Sequence, residues 1–244
     1  MSGSCFAERL ERLVTLSGAE RGALERLEDS PRTLRRGTIL VRENDRADEI
    51  YIVRSGWLMS HVILNDGSRQ ILRLHLPGEL IGSANTAFSE APETLITLGD
   101  AVICPFDKIA LRTVFEDHPR LAALFFIVAQ AERVALTDRL ASLGRTSARS
   151  RVAALIVDIL VRLRLFDDSV TDTIPLRLTQ EEIGDATGLT AVHVNRMMRV
   201  LSEDGLIDRR DGQIVVRDEP ALARIANYVD RYADLDLRWL PRAR

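Results

Sequence analysis

The stretch that decides the fold runs from Leu178 to Val216 and reads LTQEEIGDATGLTAVHVNRMMRVLSEDGLIDRRDGQIVV. A helix is predicted near its start, because Thr179 is followed three residues later by Glu182. In such a capping box, each side chain accepts a hydrogen bond from a backbone N–H that the first turn leaves unpaired. Gly188 marks the end of this helix, since glycine adopts the left-handed conformation that turns the chain sharply.

A second helix and a β-hairpin follow in the same stretch. Thr190 is placed to cap the second helix, and Gly184 in the first helix lacks a side chain that would hold the two helices apart. Apolar residues recur in the second helix at three- and four-residue steps, at Val194, Met197, Met198 and Leu201. Asp211 and Gly212 between two apolar runs are typical of a hairpin turn. This order of elements predicts a winged helix-turn-helix, so double-stranded DNA is the expected partner.

Two other classes of function compete with DNA binding. A capped helix pair with a glycine turn also occurs in proteins that never meet nucleic acid, so the alternative is a ligand-binding regulatory protein that acts through protein partners. Salt separates the two, because DNA binding releases counterions and weakens steeply as salt rises. An enzyme is not expected, since no Ser/His/Asp set, metal-spaced His/Cys set or phosphate-binding loop stands out in the sequence.

The composition is that of a globular protein with room for two domains. The chain has 244 residues, of which 46% are hydrophobic and 28% are charged. Its formal net charge of -3 provides no overall attraction to DNA, so a local basic cluster must supply it. One candidate cluster comprises Arg145, Arg149, Arg151, Arg162 and Arg164. For Arg162 and Arg164, a solvated helix face is the favoured interpretation.

Features of the chain also favour a cytoplasmic location. The N-terminus lacks a basic region followed by an apolar run, and no apolar stretch is long enough to span a bilayer. Cys5 and Cys104 are too few and too far apart for a disulfide framework or a metal cluster, which fits a reducing compartment. We therefore expect no membrane association and no metal site.

The part of the chain before residue 115 is predicted to be largely β. Short apolar runs alternate with turn residues such as Asn65-Asp66-Gly67 and Pro77-Gly78, which is typical of an antiparallel barrel or sandwich. The runs are Thr38 to Val41, Ile50 to Val53, Trp57 to Leu64, Ile71 to Leu76, Leu95 to Leu98 and Ala101 to Phe106.

A long helix is predicted from Arg120 to about Ser142, where apolar residues recur at helical intervals and glycine and proline are absent. Around residues 121–129 the helix is apolar on nearly every side, so it must be covered on more than one face. A second copy of the same helix is the expected cover, which makes this segment the predicted dimer seam. Burial of the helix within one subunit is the alternative.

Three regions are predicted. Residues 1–115 form a β-barrel sensor domain with an N-terminal helical segment, residues 116–145 form a dimerisation helix, and residues 146–244 form the DNA-binding domain. Gly144, with Thr146 and Ser147, marks a hinge before the next helix. The last region ends in an amphipathic helical tail, whose apolar stripe is Leu222, Ile225, Val229 and Tyr232.

In this order of parts, the chain resembles the Crp/Fnr family of bacterial transcription regulators. The matching residues are Gly37 with Leu40, Tyr51-Ile52-Val53 with Ser55-Gly56, Pro77 to Gly82, and Leu178 to Gly184 with Gly188 to Arg196. The resemblance implies an α+β fold: a jelly-roll-like β-barrel similar to a cyclic-nucleotide-binding domain, a dimerisation helix and a C-terminal winged helix-turn-helix. It also implies a homodimer on an inverted-repeat operator. The amphipathic tail is a possible surface for RNA polymerase, but no residue pattern supports that partner.

The resemblance weakens at the ligand site. Members that bind cyclic AMP use the glutamate of a Gly-Glu-Leu cassette for the ribose and a later arginine for the cyclic phosphate. Gly78-Glu79-Leu80 matches the cassette, but no Lys or Arg lies between Gly82 and Cys104. A phosphate would lack its bidentate partner there. Cyclic nucleotide binding is therefore expected to be weak or lost.

Other sensing groups known in the family are also disfavoured. An iron-sulfur cluster would need four cysteines. Haem ligation by His61, His75 or His118 is disfavoured, because a lone histidine in a barrel is usually structural. Cys104 lies in an apolar strand, where a cysteine is usually an inert core residue rather than a redox switch. No cofactor is expected, and the effector stays unknown.

By the same resemblance, the second helix of the motif lies in the major groove. Arg196 matches a base-reading arginine and has the fork geometry that guanine favours. Val192 stands where the best-known members have a glutamate, which leaves a group able only to touch a thymine methyl. Ala191 and His193 are the remaining expected readers, with phosphate contact or mere exposure as the alternative for His193. The predicted interface comprises Thr179 and Gln180 for phosphate, and Thr190, Ala191, Val192, His193, Asn195, Arg196 and Arg199.

Overall fold

The structure is a computed structural model that describes residues 3–210, 212–233 and 235–242. These residues form two compact units. The first comprises the described residues of Met1–Ser68, Leu72–Ala129 and Asp236–Arg244, and the second those of Arg69–Ile71 and Gln130–Leu235. Among the described residues, every helix is too short or too polar to traverse a lipid bilayer.

The first unit begins with two helices, α1 (Cys5–Glu11) and α2 (Gly18–Leu27). Ser17 and Glu20 form a capping box at the start of α2. The start of α1 is held by the buried carboxylate of Glu28, which accepts hydrogen bonds from the backbone N–H groups of Cys5 at 3.2 Å and Phe6 at 3.0 Å. A negative charge at this end of a helix also interacts favourably with its dipole. The predicted N-terminal helical segment is present.

The strands that follow form two four-stranded sheets. They are β1 (Arg32–Leu34), β2 (Ile39–Val41), β3 (Glu49–Ser55), β4 (Leu58–Ile63), β5 (Arg69–His75), β6 (Leu80–Ile81), β7 (Thr94–Thr97) and β8 (Ala101–Asp107). The strand order is β1-β8-β3-β6 in one sheet and β2-β7-β4-β5 in the other. The pairings of β3 with β8 and of β4 with β7 are antiparallel. The jelly-roll-like fold is confirmed, as two sheets rather than one closed barrel.

The core of this sandwich is built from inward-facing residues of both sheets. Val53 and Ile103 come from one sheet and Leu58 and Leu95 from the other, and all four are buried. The turn between β3 and β4 requires Gly56, whose φ is +82°. A Cβ atom there would lie 2.4 Å from the backbone oxygen of Asp100. Only glycine fits such a close approach.

Two helices, α3 (Lys108–Asp117) and α4 (Pro119–Arg145), follow the strands. Helix α4 includes the predicted helix and divides its apolar residues into two sets. The buried set is Leu121, Leu124, Phe125 and Ile127, and the Phe125 ring meets the Phe6 ring edge-on at 5.2 Å. The exposed set is Phe126, Leu136 and Leu140. Much of segment 121–129 therefore packs within the first unit, and the exposed apolar residues continue further along the helix than predicted.

The break between α4 and α5 (Ala148–Arg164) falls at Thr146 and Ser147. The Ser147 hydroxyl accepts a hydrogen bond from the backbone N–H of Ser150 at 3.1 Å and so caps α5. Gly144 was expected to mark the hinge, but it lies within the last turn of α4, so that part of the prediction is wrong. A glycine inside a helix lowers the stability of that helix by about 1 kcal/mol relative to alanine. Helix α4 continues through Gly144 despite this cost.

The remainder of the second unit combines helices with a three-stranded sheet. Its elements are β9 (Thr173–Pro175), α6 (Gln180–Thr187), α7 (Ala191–Glu203), β10 (Ile207–Arg210), β11 (Gln213–Val216) and α8 (Glu219–Ala226). The strand order is β10-β11-β9. Strands β10 and β11 form the predicted hairpin, and Gly212 in its turn has a φ of +75°. Asp211, the other predicted turn residue, lies outside the described residues.

The predicted amphipathic tail is helical only at its start. Helix α8 ends at Ala226, because Asn227 adopts a left-handed φ of 50°. Leu222 and Tyr232 are buried, as the stripe predicts, but Val229 lies beyond the helix and is exposed. The prediction of a helical stripe reaching Tyr232 is therefore wrong after Ala226.

Candidate nucleic-acid interface

Local hydrogen bonds hold the first helix of the motif as predicted. The Thr179 hydroxyl accepts from the backbone N–H of Glu182 at 3.1 Å, and the Glu182 carboxylate accepts from the backbone N–H of Thr179 at 2.7 Å. Gly188 ends α6 with a left-handed φ of +65°. These contacts confirm the capping box and the glycine turn. Since the Thr179 backbone N–H is engaged, only its hydroxyl proton is available to a phosphate.

The reason for glycine at position 184 differs from the expectation. A Cβ atom there would lie 2.4 Å from the backbone oxygen of Leu189, in the turn between α6 and α7. The backbone N–H of Leu189 donates to the Gly184 carbonyl at 3.0 Å, which holds the turn close. Gly184 therefore lets the turn approach the helix, rather than making room for the second helix itself.

Helix α7 has one buried face and one exposed face. Val194, Met198 and Leu201 are buried, and Met197 is half-buried. The exposed side chains include Ala191, Val192, Asn195, Arg196 and Arg199. Val192 is 83% exposed, which is unusual for a branched apolar side chain. The helix thus presents a mixed apolar and basic surface.

Asn195 joins three elements of the motif. Its Oδ1 accepts hydrogen bonds from Gln180 Nε2 at the start of α6 and from Arg209 Nη1 on β10, each at 3.3 Å. Its Nδ2 group is therefore the remaining donor at this point of the surface. Arg209 was not among the predicted interface residues. Two consecutive arginines, Arg209 and Arg210, precede the predicted hairpin turn, and this pattern could have indicated a basic surface there.

Two further predicted residues, His193 and Arg196, contact each other. Arg196 Nη2 lies 3.0 Å from His193 Nε2, one helical turn away. The backbone N–H of His193 donates to the hydroxyl of Thr190 at 3.3 Å, so Thr190 is the predicted cap of α7. Arg199 lies 3.5 Å from Glu203, which offsets part of its charge.

The wing is the hairpin of β10 and β11. Some of its charged residues form ion pairs with each other, and others remain on the surface. Asp208 accepts hydrogen bonds from Arg217 at 2.6 Å and from Arg210 at 3.0 Å. The hydrogen bond from Arg217 is the main reason why the pKa of Asp208 is lowered. Among the described contacts, Arg196 and Arg209 instead bond to His193 and Asn195, so no carboxylate in these contacts offsets the attraction of either arginine for a phosphate or a base.

The predicted basic cluster at residues 145–164 does not form. Arg162 is 3% exposed and donates to Asp158 at 2.9 Å, so it is neither a phosphate contact nor a solvated side chain. Arg164 binds Glu219 with two hydrogen bonds. Arg149 pairs with Asp204. Arg151 donates to the carbonyl of Thr187 at 2.9 Å, at the C-terminus of α6. Only Arg145 of this set is exposed.

The region that matches the nucleotide cassette is occupied by the protein's own side chains. The Glu79 side chain is 1% exposed and lies 3.1 Å from Arg9 of α1. Its other oxygen accepts from the backbone N–H of Leu76 at 3.2 Å, and Arg73 lies 3.9 Å away. Glu93 lies in the following segment, where burial raises the pKa of its carboxyl group. No described residue provides the arginine that a cyclic phosphate would need between Gly82 and Cys104.

The other candidate sensor residues are buried or scattered. His61 and His75 are buried in the first unit, whereas His118 is half-buried after α3. Cys5 and Cys104 are both buried thiols, and burial raises the pKa of each, which disfavours the reactive thiolate. Within the described part of the chain, His, Cys, Asp and Glu side chains do not gather into a group of three suited to a metal ion.

Comparison with known proteins gives two family matches. Residues 31–118 match the model of the cyclic nucleotide-binding domain, and residues 150–225 match that of the Crp-like helix-turn-helix domain. The chain is 28% identical to the transcriptional regulatory protein Btr of Bordetella pertussis over 190 residues, which is 78% of each chain. It is 24% identical to the fumarate and nitrate reduction regulatory protein of Escherichia coli, over 94% of this chain and 91% of that protein.

A solved structure shares the fold. FixK2 from Bradyrhizobium japonicum superposes with a TM-score of 0.74 at 24% identity, over 82% of this chain and 98% of that one. At this level of identity the likeness concerns the fold alone.

Proposed function

The chain belongs to the Crp/Fnr family of bacterial transcription regulators, and on that premise we propose that it binds an inverted-repeat operator as a homodimer without cyclic AMP. The observation that carries the proposal is the exposed face of α7, where Val192, Asn195 and Arg196 lie outside the core. Base edges in the major groove present acceptors to an arginine and a methyl group to an apolar side chain. We assign the protein to the cytoplasm, with no catalytic role.

The exposed residues of α4 support the homodimer. Phe126, Ala129, Arg133, Leu136 and Leu140 are all exposed and follow one another at alternating steps of three and four residues. This is the heptad spacing of a coiled-coil seam, in which such residues of two helices pack together. A single charged residue, here Arg133, is a common device for fixing the register of such a seam.

The contacts of Glu79 support the absence of cyclic AMP. A ribose hydroxyl that bound this carboxylate would compete with Arg9, a buried residue whose 3.1 Å contact with Glu79 would be weakened. The cyclic phosphate would meet Glu93 in a segment without a basic residue. Both features raise the free energy of binding a cyclic nucleotide here.

Two modes of regulation fit this arrangement. In one, a signal in the first unit alters the linker at Thr146 and Ser147 and hence the spacing of the two α7 helices. In the other, the dimer is always competent and is controlled by its abundance. Operator affinity across a metabolite panel separates them, because only the first mode predicts a ligand-dependent change.

The second candidate function is a regulatory protein that docks onto another protein. RNA polymerase is a possible further partner under either function, and no residue of the chain points to it specifically. Binding to a duplex that weakens steeply with salt supports the DNA-binding proposal. The net charge of -3 makes such a dependence a property of the local surface rather than of the whole chain.

Selection of bound fragments from randomised duplexes tests the proposal. Enriched fragments should contain two half-sites in inverted orientation. Arg196→Ala should weaken operator binding by about 1 to 3 kcal/mol and relax discrimination at one base pair of each half-site. Arg224→Ala removes the same charge from the exposed surface of α8 and is the matched control, which should keep full selectivity. A pool without any enriched sequence would contradict the proposal.

A further inference from the structure

We propose that His193 positions the guanidinium group of Arg196 for guanine and does not itself read a base. The contact of 3.0 Å between Arg196 Nη2 and His193 Nε2 carries the proposal, together with the exposure of Arg196 and the half-buried position of His193 on the same helix. It rests on the proposed operator binding and adds a positioning residue to that interface.

The chemistry of the two side chains determines which nitrogen donates the hydrogen bond, Arg196 Nη2 or His193 Nε2. A guanidinium group has only donors and stays protonated at all relevant pH values. A hydrogen bond between the two groups therefore requires His193 Nε2 to accept through its lone pair, in the tautomer that carries its proton on Nδ1. A histidine in this tautomer offers Arg196 an acceptor without competing for the groups of the DNA that Arg196 would bind.

The backbone of His193 is held more firmly than its exposure suggests. The backbone N–H of His193 donates to the Thr190 cap at 3.3 Å, and the next residue, Val194, is fully buried. These contacts fix the position of His193 at the start of α7. The half-buried ring therefore starts from a fixed backbone position, and its contact with Arg196 restrains the long side chain of that residue.

Anchoring Arg196 leaves enough donors for base recognition. The guanidinium group has five N–H donors, and the contact with His193 uses one of them. A bidentate contact with the O6 and N7 atoms of guanine needs two more. Since a free arginine loses rotamer entropy when it is fixed, holding it before binding lowers the cost of recognition.

A double-mutant cycle on the full-length protein tests the proposal. We would measure the preference for guanine at the base pair that Arg196→Ala relaxes, using the selected operator and its single-base variants. His193→Ala should reduce that preference by about three- to tenfold, the range of one hydrogen bond. In the Arg196→Ala background, the same change should have no further effect on the preference.

Two conservative variants separate positioning from a structural role. His193→Gln places its amide oxygen near the location of Nε2, so it should retain most of the guanine preference. His193→Asn places its amide near the location of Nδ1, too short to reach Arg196, and should behave like His193→Ala. Unchanged thermal unfolding of all variants would show that α7 remains folded.

Three results would overturn the proposal. The first is an unchanged guanine preference in His193→Ala. The second is a His193→Ala variant that relaxes a different base pair, additively with Arg196→Ala. The third is an Arg196→Ala variant that relaxes no base pair at all. In each case, continued enrichment of an inverted repeat would leave the proposed function standing. Loss of all duplex selection by the unmodified protein would instead contradict the proposed function itself.

Discussion

Val192 gives the candidate interface its most unusual side chain. It is 83% exposed on the same helix as Arg196, so its methyl groups are available to a partner rather than to the core. A valine cannot accept the hydrogen bond that the amino group of cytosine donates, but it can pack against the methyl group of thymine. If the proposed operator binding holds, Val192 should make an apolar rather than a polar contact at its base pair.

We expect this contact to be measurable with modified DNA. Replacing the contacted thymine by deoxyuridine removes one methyl group and should weaken binding by about 0.8 kcal/mol or less, the value of one buried methylene-sized group. The Val192→Ala variant should be less sensitive to the replacement. Fluorescence anisotropy with duplexes substituted at single thymines measures both effects. Equal losses for the two proteins at every thymine would contradict an apolar contact by Val192.

At the residue scale, local signals were predictable and distant pairs were not. Helical periodicity predicted that Asn195, Arg196 and Arg199 face outward from α7, and spacings of three residues predicted the cap residues. The prediction for Arg149 and Arg164 was wrong because their partners lie far along the chain. Arg164 pairs with Glu219, 55 residues away, and Arg149 pairs with Asp204, also 55 residues away. Sequence spacing alone does not reveal such ion pairs.

At the scale of elements, the turn between α6 and α7 sets the geometry of the interface. Its closeness depends on Gly184, and its direction depends on the left-handed conformation of Gly188. Asn195 then joins α7 to α6 through Gln180 and to the hairpin through Arg209. These contacts hold the three parts of the motif in one arrangement.

Gly184→Ala should disrupt this turn. Its Cβ atom would lie 2.4 Å from the backbone oxygen of Leu189, so the backbone must move. We expect a loss of about 1 to 3 kcal/mol of stability, as in other overpacked sites. Hydrogen exchange should show faster opening of α6 and α7.

Gly144→Ala is the matched control for that prediction. It adds the same methyl group to a helical glycine, but no atom lies within 4 Å of the new Cβ. Alanine should stabilise α4 slightly there, by about 0.5 to 1 kcal/mol. Similar effects of the two substitutions on α6 and α7 would show that the proximity of Leu189 is not what requires glycine at position 184.

Long or strongly patterned elements were predictable, and short ones were not. The capped helices and the Gly212 hairpin carry their signals within a few residues. Strands β1, β6 and β9 have three, two and three residues, too few for a periodic pattern, and they exist because neighbouring strands pair with them. Helix α3 was not predicted, because the apolar periodicity of α4, which follows it, is more prominent in the sequence. The prediction for the C-terminal tail was wrong from Asn227 onward. The left-handed conformation of this residue ends the helix, although the apolar spacing continues beyond it.

At the scale of the whole molecule, a homodimer would place two copies of α7 on one duplex. Its net charge of -3 per chain means that attraction to DNA must come from the exposed basic residues of α7 and the wing. The exposed heptad of α4 supplies the apolar surface that a dimer would bury. Neither surface suffices alone for the proposed inverted-repeat binding.

Leu140→Glu should weaken the dimer. Leu140 is 71% exposed and occupies one position of the α4 heptad. Placing a carboxylate in that seam should cost about 2 kcal/mol or more, roughly thirtyfold in the dissociation constant. Ala141→Glu introduces the same charge at the next, also exposed, position and should have little effect. Sedimentation velocity over a range of concentrations distinguishes the two, and equal behaviour would argue against this seam.

The number of protein chains on one selected operator is the most direct test of the central claim. Sedimentation equilibrium of the full-length protein with a duplex carrying the enriched sequence should give two chains per duplex. The half-site centres should lie about 10 to 10.5 base pairs apart, or a multiple of that spacing. Stable, sequence-specific binding of a single chain to one isolated half-site, with no gain from the second half-site, would contradict the account.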